Sequence, residues 1–161
     1  MLEGNYKLYI PPILILALMV ILSIPHTFLS FGIYTPEYII SIIFYLLLFS
    51  PRSLPFLILI LLGLVYDLVM HYPLGLNVIL FLYVSYTINL QRKFLLNKNF
   101  YTVWMFFVMN IIVILLLKLS LLKFSYSLPI KHNYGIMIYR IYFTSLLYPL
   151  IHYIFDKVRR I

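Results

Sequence analysis

The amino-acid sequence predicts an all-α integral membrane protein, a single bundle of six transmembrane helices with both termini in the cytoplasm. Three observations carry this expectation. The 161 residues are 65% hydrophobic and only 10% charged, with a mean hydropathy of +1.06, more apolar surface than one small soluble core can absorb. The apolar residues come in continuous runs, such as 13–22 and 56–65, and not in the alternating pattern of a β-barrel strand. Most of the charged residues fall in the breaks between runs, where helix ends meet water and headgroups.

Taken in order, residues 1–7 are too short for a domain. The first span covers about 9–29, with Pro11-Pro12 in its opening turn and Pro25 expected to kink its far end. Ser23-Ile24-Pro25-His26 offers no small-x-small cleavage site, so the segment is expected to be retained and not removed as a signal peptide. The second span, about 37–49, is bracketed by Pro36 and Pro51 and is short against the roughly 20 residues a bilayer core requires. Either residues 33–35 extend it or the bilayer thins around it. The third span is about 54–70, the fourth 74–90, the fifth 101–122 and the sixth 135–155. No repeat of fixed short period and no low-complexity linker interrupts the chain, which reads as a single polytopic membrane domain over 1–161.

Charge sets the orientation. With the N-terminus inside, the cytoplasmic side carries Lys7, Arg52, Arg92, Lys93, Lys98, Lys157, Arg159 and Arg160, and the outer side keeps Lys118, Lys123, Lys131 and Arg140. Eight against four follows the positive-inside rule. Arg92-Lys93 and Arg159-Arg160 are the strongest anchors, and in a membrane protein their placement points to anionic lipid headgroups and not to nucleic acid, despite the net charge of +8. There is no cysteine, which excludes disulfides, thiol catalysis and thiolate metal sites.

The stretch around which the rest is organised is 61–77, LLGLVYDLVMHYPLGLN. Asp67 lies inside an otherwise apolar run, and an acidic side chain at membrane depth is a functional candidate by default. Gly63 and His71 share its helix face at i−4 and i+4, and Pro73-Leu74-Gly75 then breaks the helix and reverses the chain. The topology brings Asp67, Arg140 and Lys118 into one layer in the outer half of the bundle, with Asn77 just below the start of the fourth span. Asp67 is therefore expected to pair with Arg140 or, failing that, with Lys118. The competing expectation is that the two cations snorkel to headgroups, which is the preferred reading for Lys118. His71 is expected at the interface, His152 as a packing residue near a helix end, and Asn110 as a polar tie between helices.

The sequence holds no chemistry of its own. His26, His71, His132 and His152 are far apart and form no zinc-ligand pattern. No nucleophile elbow, paired carboxylates or Gly-rich phosphate loop is present, and four acidic residues leave little for acid–base work. Neither an enzyme nor a cofactor is expected.

Two stretches resemble a known family. GLVYDLVMHYPLGLNVILF, residues 63–81, keeps the Gly, Asp and Pro-Leu-Gly order of the bacterial rod shape-determining protein MreD family, and TSLLYPLIHYIFDKVRR, residues 144–160, is similar to its terminal helix with Tyr148-Pro149 and a basic tail. The chain departs from the family pattern where Met70-His71-Tyr72 replaces a small, often Gly-containing linker before Pro-Leu-Gly. The resemblance implies a non-enzymatic inner-membrane subunit of the cell-elongation machinery that supports lateral peptidoglycan synthesis. It implies partnership with the single-span protein MreC and, indirectly, with MreB and the wall-synthesising enzymes. By position, Asp67, Pro73, Leu74 and Gly75 would shape the outer turn, and Tyr148 and Pro149 the last helix. The implied fold is similar to the six-helix substrate-binding subunit of energy-coupling vitamin transporters, which supplies the rival expectation of a vitamin-binding subunit. Such subunits show Ala-x-x-x-Ala on the first helix where the energising partner docks, whereas here Ala17 is followed four residues later by Ile21.

Overall fold

The computed structural model describes residues 37–125 and 134–159. Among them the chain forms five α-helices and no strand: α1 (Tyr38–Phe49), α2 (Phe56–Val69), α3 (Leu76–Leu96), α4 (Phe100–Ser125) and α5 (Tyr134–Arg159), with a 3-10 turn, Pro51–Ser53, after α1. These helices lie over the second to sixth spans read from the sequence. The first span, His26, His132, Lys131 and Arg160 lie outside the described residues, as does the side chain of Arg159.

Order in the bundle follows from which helices touch. α1 packs on α3 and α5, α4 packs on α3 and α5, and α2 leans on α3. α1 is the centre of this arrangement. Every residue from Ile39 to Leu48 is buried, as befits a helix that is hydrophobic all round and has no polar face to show. Its Ile-rich sequence would suit a strand equally well, but away from water a backbone must satisfy its own polar groups, and a lone segment does that only as a helix. Ser41, its one polar interior residue, returns its hydroxyl to the Glu37 carbonyl (3.4 Å).

The helices differ in reach. Within the 26 residues of α4, the 25 from Phe100 to Phe124 are long and apolar enough to cross a membrane. α1, with 12 residues, rises only about 18 Å at 1.5 Å per residue, against a hydrocarbon core of roughly 30 Å. α3 runs on to Leu96, one and a half turns past the expected end of the fourth span. Arg92 and Lys93 are consequently helical residues, not loop residues. Leu90 through Leu96 keep helical geometry because Ile88 and Leu95 still find core contacts at heptad spacing.

Candidate functional site

The α2–α3 hairpin is built by the sequence segment around Asp67. Gly63 faces α3 so closely that a Cβ there would sit 2.7 Å from the Val78 Cα and 2.8 Å from its backbone nitrogen. Only glycine lets the two helices approach this far. One turn later Asp67, with no exposed surface, meets the start of α3. Its Oδ2 accepts the Gly75 N–H (2.8 Å), and its Oδ1 accepts the Asn77 N–H (3.0 Å) and the Asn77 side-chain Nδ2 (2.6 Å). The first turn of any helix leaves N–H groups without intrahelical partners. Here an aspartate from the preceding helix takes the place of an N-cap side chain, and its charge sits at the positive end of the α3 dipole.

The turn between the helices has a definite geometry. α2 ends with the Tyr72 N–H on the Asp67 carbonyl (2.9 Å) and the His71 N–H on the Leu68 carbonyl (3.4 Å), the two bonds of a Schellman motif. That motif needs a left-handed residue after the cap, usually glycine, and His71 occupies it at φ 55°. Pro73 then offers its carbonyl to the Leu76 N–H (3.1 Å), and Gly75 at φ 94° aims its own N–H at Asp67. Leu74 and His71 point outward and are exposed.

A second carboxylate anchors the same end of the bundle. Glu37, at the N-cap of α1, accepts a hydrogen bond from the Lys118 ammonium of α4 (2.6 Å), with both side chains at most 5% exposed. Arg140 of α5 places its guanidinium 3.6 Å from the same Oε1. The Glu37 backbone N–H donates to Thr144 Oγ1 of α5 (3.0 Å), which satisfies the start of α1. Lys118 also lies over the ring of Tyr72, 4.6 Å from its centroid. Lys118 therefore joins α4 to both α1 and the α2–α3 turn.

The expected pairing of Asp67 with Arg140 or Lys118 is thus corrected, because both cations converge on Glu37. The physical reason is that N–H groups of Gly75 and Asn77 already occupy the Asp67 oxygens, while among the described residues no backbone N–H donates to the Glu37 carboxylate, which takes its partners from the two cations. Lys118 does not snorkel either. Its charge is retained in the interior by Glu37 and Tyr72. The expected polar layer is present, with a different acid at its centre. Glu37 carried a signal in the sequence: it opens the second span at the end of the bundle where the third span closes, which puts it level with Asp67, and two cations in one layer call for a second acid.

At the opposite end, Arg92 is more than an orientation signal. Its Nε donates to the Leu48 carbonyl (2.9 Å), one of the four carbonyls left open at the end of α1. Lys93 is exposed. In α5, Pro149 has no N–H to give to the carbonyl four residues back, Ser145. The Trp104 indole of α4 donates to that carbonyl instead (2.9 Å). Beside the proline, Tyr148 is fully buried and stacks on Phe107 with centroids 4.3 Å apart. His152 packs among Tyr45 (5.4 Å), Phe49 (5.5 Å) and Phe100 (5.0 Å). Midway along the bundle the Thr87 hydroxyl donates to Asn110 Oδ1 (3.0 Å), tying α3 to α4. Among the described residues no three His, Asp or Glu side chains gather as a metal site would require.

These contacts describe a device for fixing helix order, with charge held in the interior by partners from different helices. The family model described as rod shape-determining protein MreD matches residues 5–158. No curated protein and no solved structure matches the chain.

Proposed function

Because the chain belongs to the MreD family, a family of membrane proteins that acts in rod shape determination, we propose that it is a non-enzymatic scaffold subunit of the cell-elongation machinery in the bacterial inner membrane. In this reading the chain is one domain of six membrane-spanning helices with both termini in the cytoplasm. It docks a single-span MreC-like partner and, through it, engages MreB and the enzymes of lateral peptidoglycan synthesis. The family match over residues 5–158 is the observation that carries this reading.

The interior chemistry supports it from a second direction. A scaffold must present a fixed outer surface, and fixing that surface within lipid requires internal bonds, because lipid solvates neither charge nor backbone. Asp67, Gly63, Asn77 and the Pro73-Leu74-Gly75 turn hold α2 to α3, and Glu37 with Lys118, Arg140 and Thr144 holds α1, α4 and α5 together. Tyr148 and Pro149 set the last helix against α4. The basic residues Lys93, Lys98, Lys157, Arg159 and Arg160 are then left to meet anionic lipid or a cytoplasmic partner.

The test is capture of partners by tagged full-length protein in mild detergent, with co-purifying membrane proteins identified by mass spectrometry. Recovery of a single-span MreC-like protein is the expected result. Recovery of ATP-driven transporter subunits in its place would overturn the scaffold reading in favour of a small-molecule carrier. Asp67→Leu is expected to lower capture more than Arg159→Ala, since the first loosens the hairpin and the second touches only the basic tail.

A further inference from the structure

Between α3 and α4 lies a cavity of about 230 Å³ whose walls include Thr87, Leu90 and Gln91 from α3 and Met109, Asn110 and Val113 from α4. The polar groups of Thr87 and Asn110 are engaged within the protein. Thr87 donates to Asn110 Oδ1 (3.0 Å) and the Asn110 amide donates to the Phe106 carbonyl (2.9 Å). Beside them an apolar wall stands open to an occupant, where Leu90 and Met109 are each more than 60% exposed. The volume falls below the roughly 300–1,000 Å³ of sites for whole drug-sized ligands. It suits a length of hydrocarbon chain.

The same faces lead to a cation. On α3 the face continues at helical spacing from Thr87 through Gln91 to Phe94, and Lys98 follows in the short α3–α4 connection, just beyond the helix end at Leu96. The Lys98 ammonium lies 4.8 Å from the Phe94 ring centroid, and the side chain is exposed. Among the described residues no carboxylate forms an ion pair with it; the two salt bridges both belong to Glu37. The α4 wall runs down through Phe106 to Thr102 at the same mouth.

From an apolar groove of this volume, with an exposed cation one helical turn beyond its α3 wall that no carboxylate among the described residues pairs, we infer that the α3–α4 groove binds one anionic phospholipid, with an acyl chain along Leu90, Met109 and Val113 and the phosphate group at Lys98. Charge complementarity selects an anionic headgroup over a zwitterionic one, and the small volume suits a hydrocarbon chain better than a partner's helix, which is about 10–12 Å across. The inference rests on α3 and α4 lying within the bilayer but not on partner docking, so each can fail while the other stands.

The test is native mass spectrometry of the purified full-length protein in detergent, titrated with phosphatidylglycerol or with phosphatidylcholine of the same acyl chains. One phosphatidylglycerol is expected to be retained at higher occupancy than phosphatidylcholine. Lys98→Glu should lower the phosphatidylglycerol affinity about fivefold or more, the scale of one surface charge at a lipid headgroup, and leave phosphatidylcholine unchanged. Val113→Trp, which fills the groove from a lipid-facing position, should lower both, and Met109→Trp serves where that variant does not purify. Lys123→Glu, an exposed lysine in the last turn of α4 at the other end of the bundle, should change neither. Equal binding of the two lipids, insensitivity to Lys98→Glu or to the groove-filling variants, or an equal loss with Lys123→Glu would each overturn the inference.

Discussion

Asp67 and Glu37 are both carboxylates buried at one end of the same bundle, and they are neutralised in opposite ways. Asp67 is held by N–H groups only 8 and 10 residues further along the chain, those of the helix it helps to start. Glu37 is held by an ammonium 81 residues away and by a guanidinium on yet another helix. The first arrangement is a local motif carried by α2 and its turn. The second exists only once α1, α4 and α5 are assembled. A cap built from backbone amides is robust, because the amides remain wherever the hairpin forms. A buried ion pair depends on every partner, since loss of one leaves the other charge stranded.

That contrast can be broken most forcefully at Glu37. Glu37→Gln strands Lys118 in the interior and is expected to cost about 3–5 kcal/mol, read as a large drop in the thermal unfolding midpoint in detergent micelles. Replacing both partners, Glu37→Leu with Lys118→Met, should recover most of the loss, as apolar replacements of a buried pair commonly do. If the double variant is as unstable as the single one, the ion pair is not what Glu37 provides.

Asp67→Asn should cost less, about 1–3 kcal/mol, because the new amide keeps one acceptor but turns a donor toward the N–H groups at the start of α3. Combined with Arg140→Gln the two losses should add to within about 0.5 kcal/mol. A larger coupling would reinstate a direct Asp67–Arg140 interaction and merge the two sites into one.

The opposite end of the bundle offers a second comparison, between a donor supplied by a side chain and one supplied by the backbone. Trp104→Phe leaves the Ser145 carbonyl without its donor and should cost about 1–2 kcal/mol. In a Pro149→Ala background the returned backbone N–H can take that carbonyl, and the same Trp104→Phe change should approach neutrality. A tryptophan effect of the same size in both backgrounds would mean that Trp104 acts by packing alone. The smallest expected effect is a gain: His71→Gly removes the side chain from a left-handed position and should stabilise the hairpin by about 1 kcal/mol.

Much of the hairpin was legible before any coordinates. Gly63, Asp67, Pro73, Gly75 and Asn77 stand close together in the sequence, and their spacing already implies a helix, a reversal and a carboxylate that needs partners. Even the departure at Met70-His71-Tyr72 has its counterpart in the structure, where His71 fills the left-handed position that a glycine of the linker would favour. The identity of the partners was less legible. A charge in an apolar run suggests an opposite charge, yet the start of the next helix offers amides at shorter range, and proximity along the chain won. The Asn110 tie and the packing role of His152 were read from residue type and position, which suffices where a polar group must find something nearby to bond.

The sequence by itself determined the class of protein, the positions of the helices over residues 38–159 and the presence of a polar layer at one end, because composition and hydropathy act residue by residue. Only the tertiary structure decided that Lys118 and Arg140 belong to Glu37, that Arg92 closes α1, and that Trp104 meets the carbonyl released by Pro149. Each of these joins groups more than forty residues apart. Such pairings depend on which helix faces touch, and hydrophobic pattern cannot specify that in helices such as α1, which are apolar on every side.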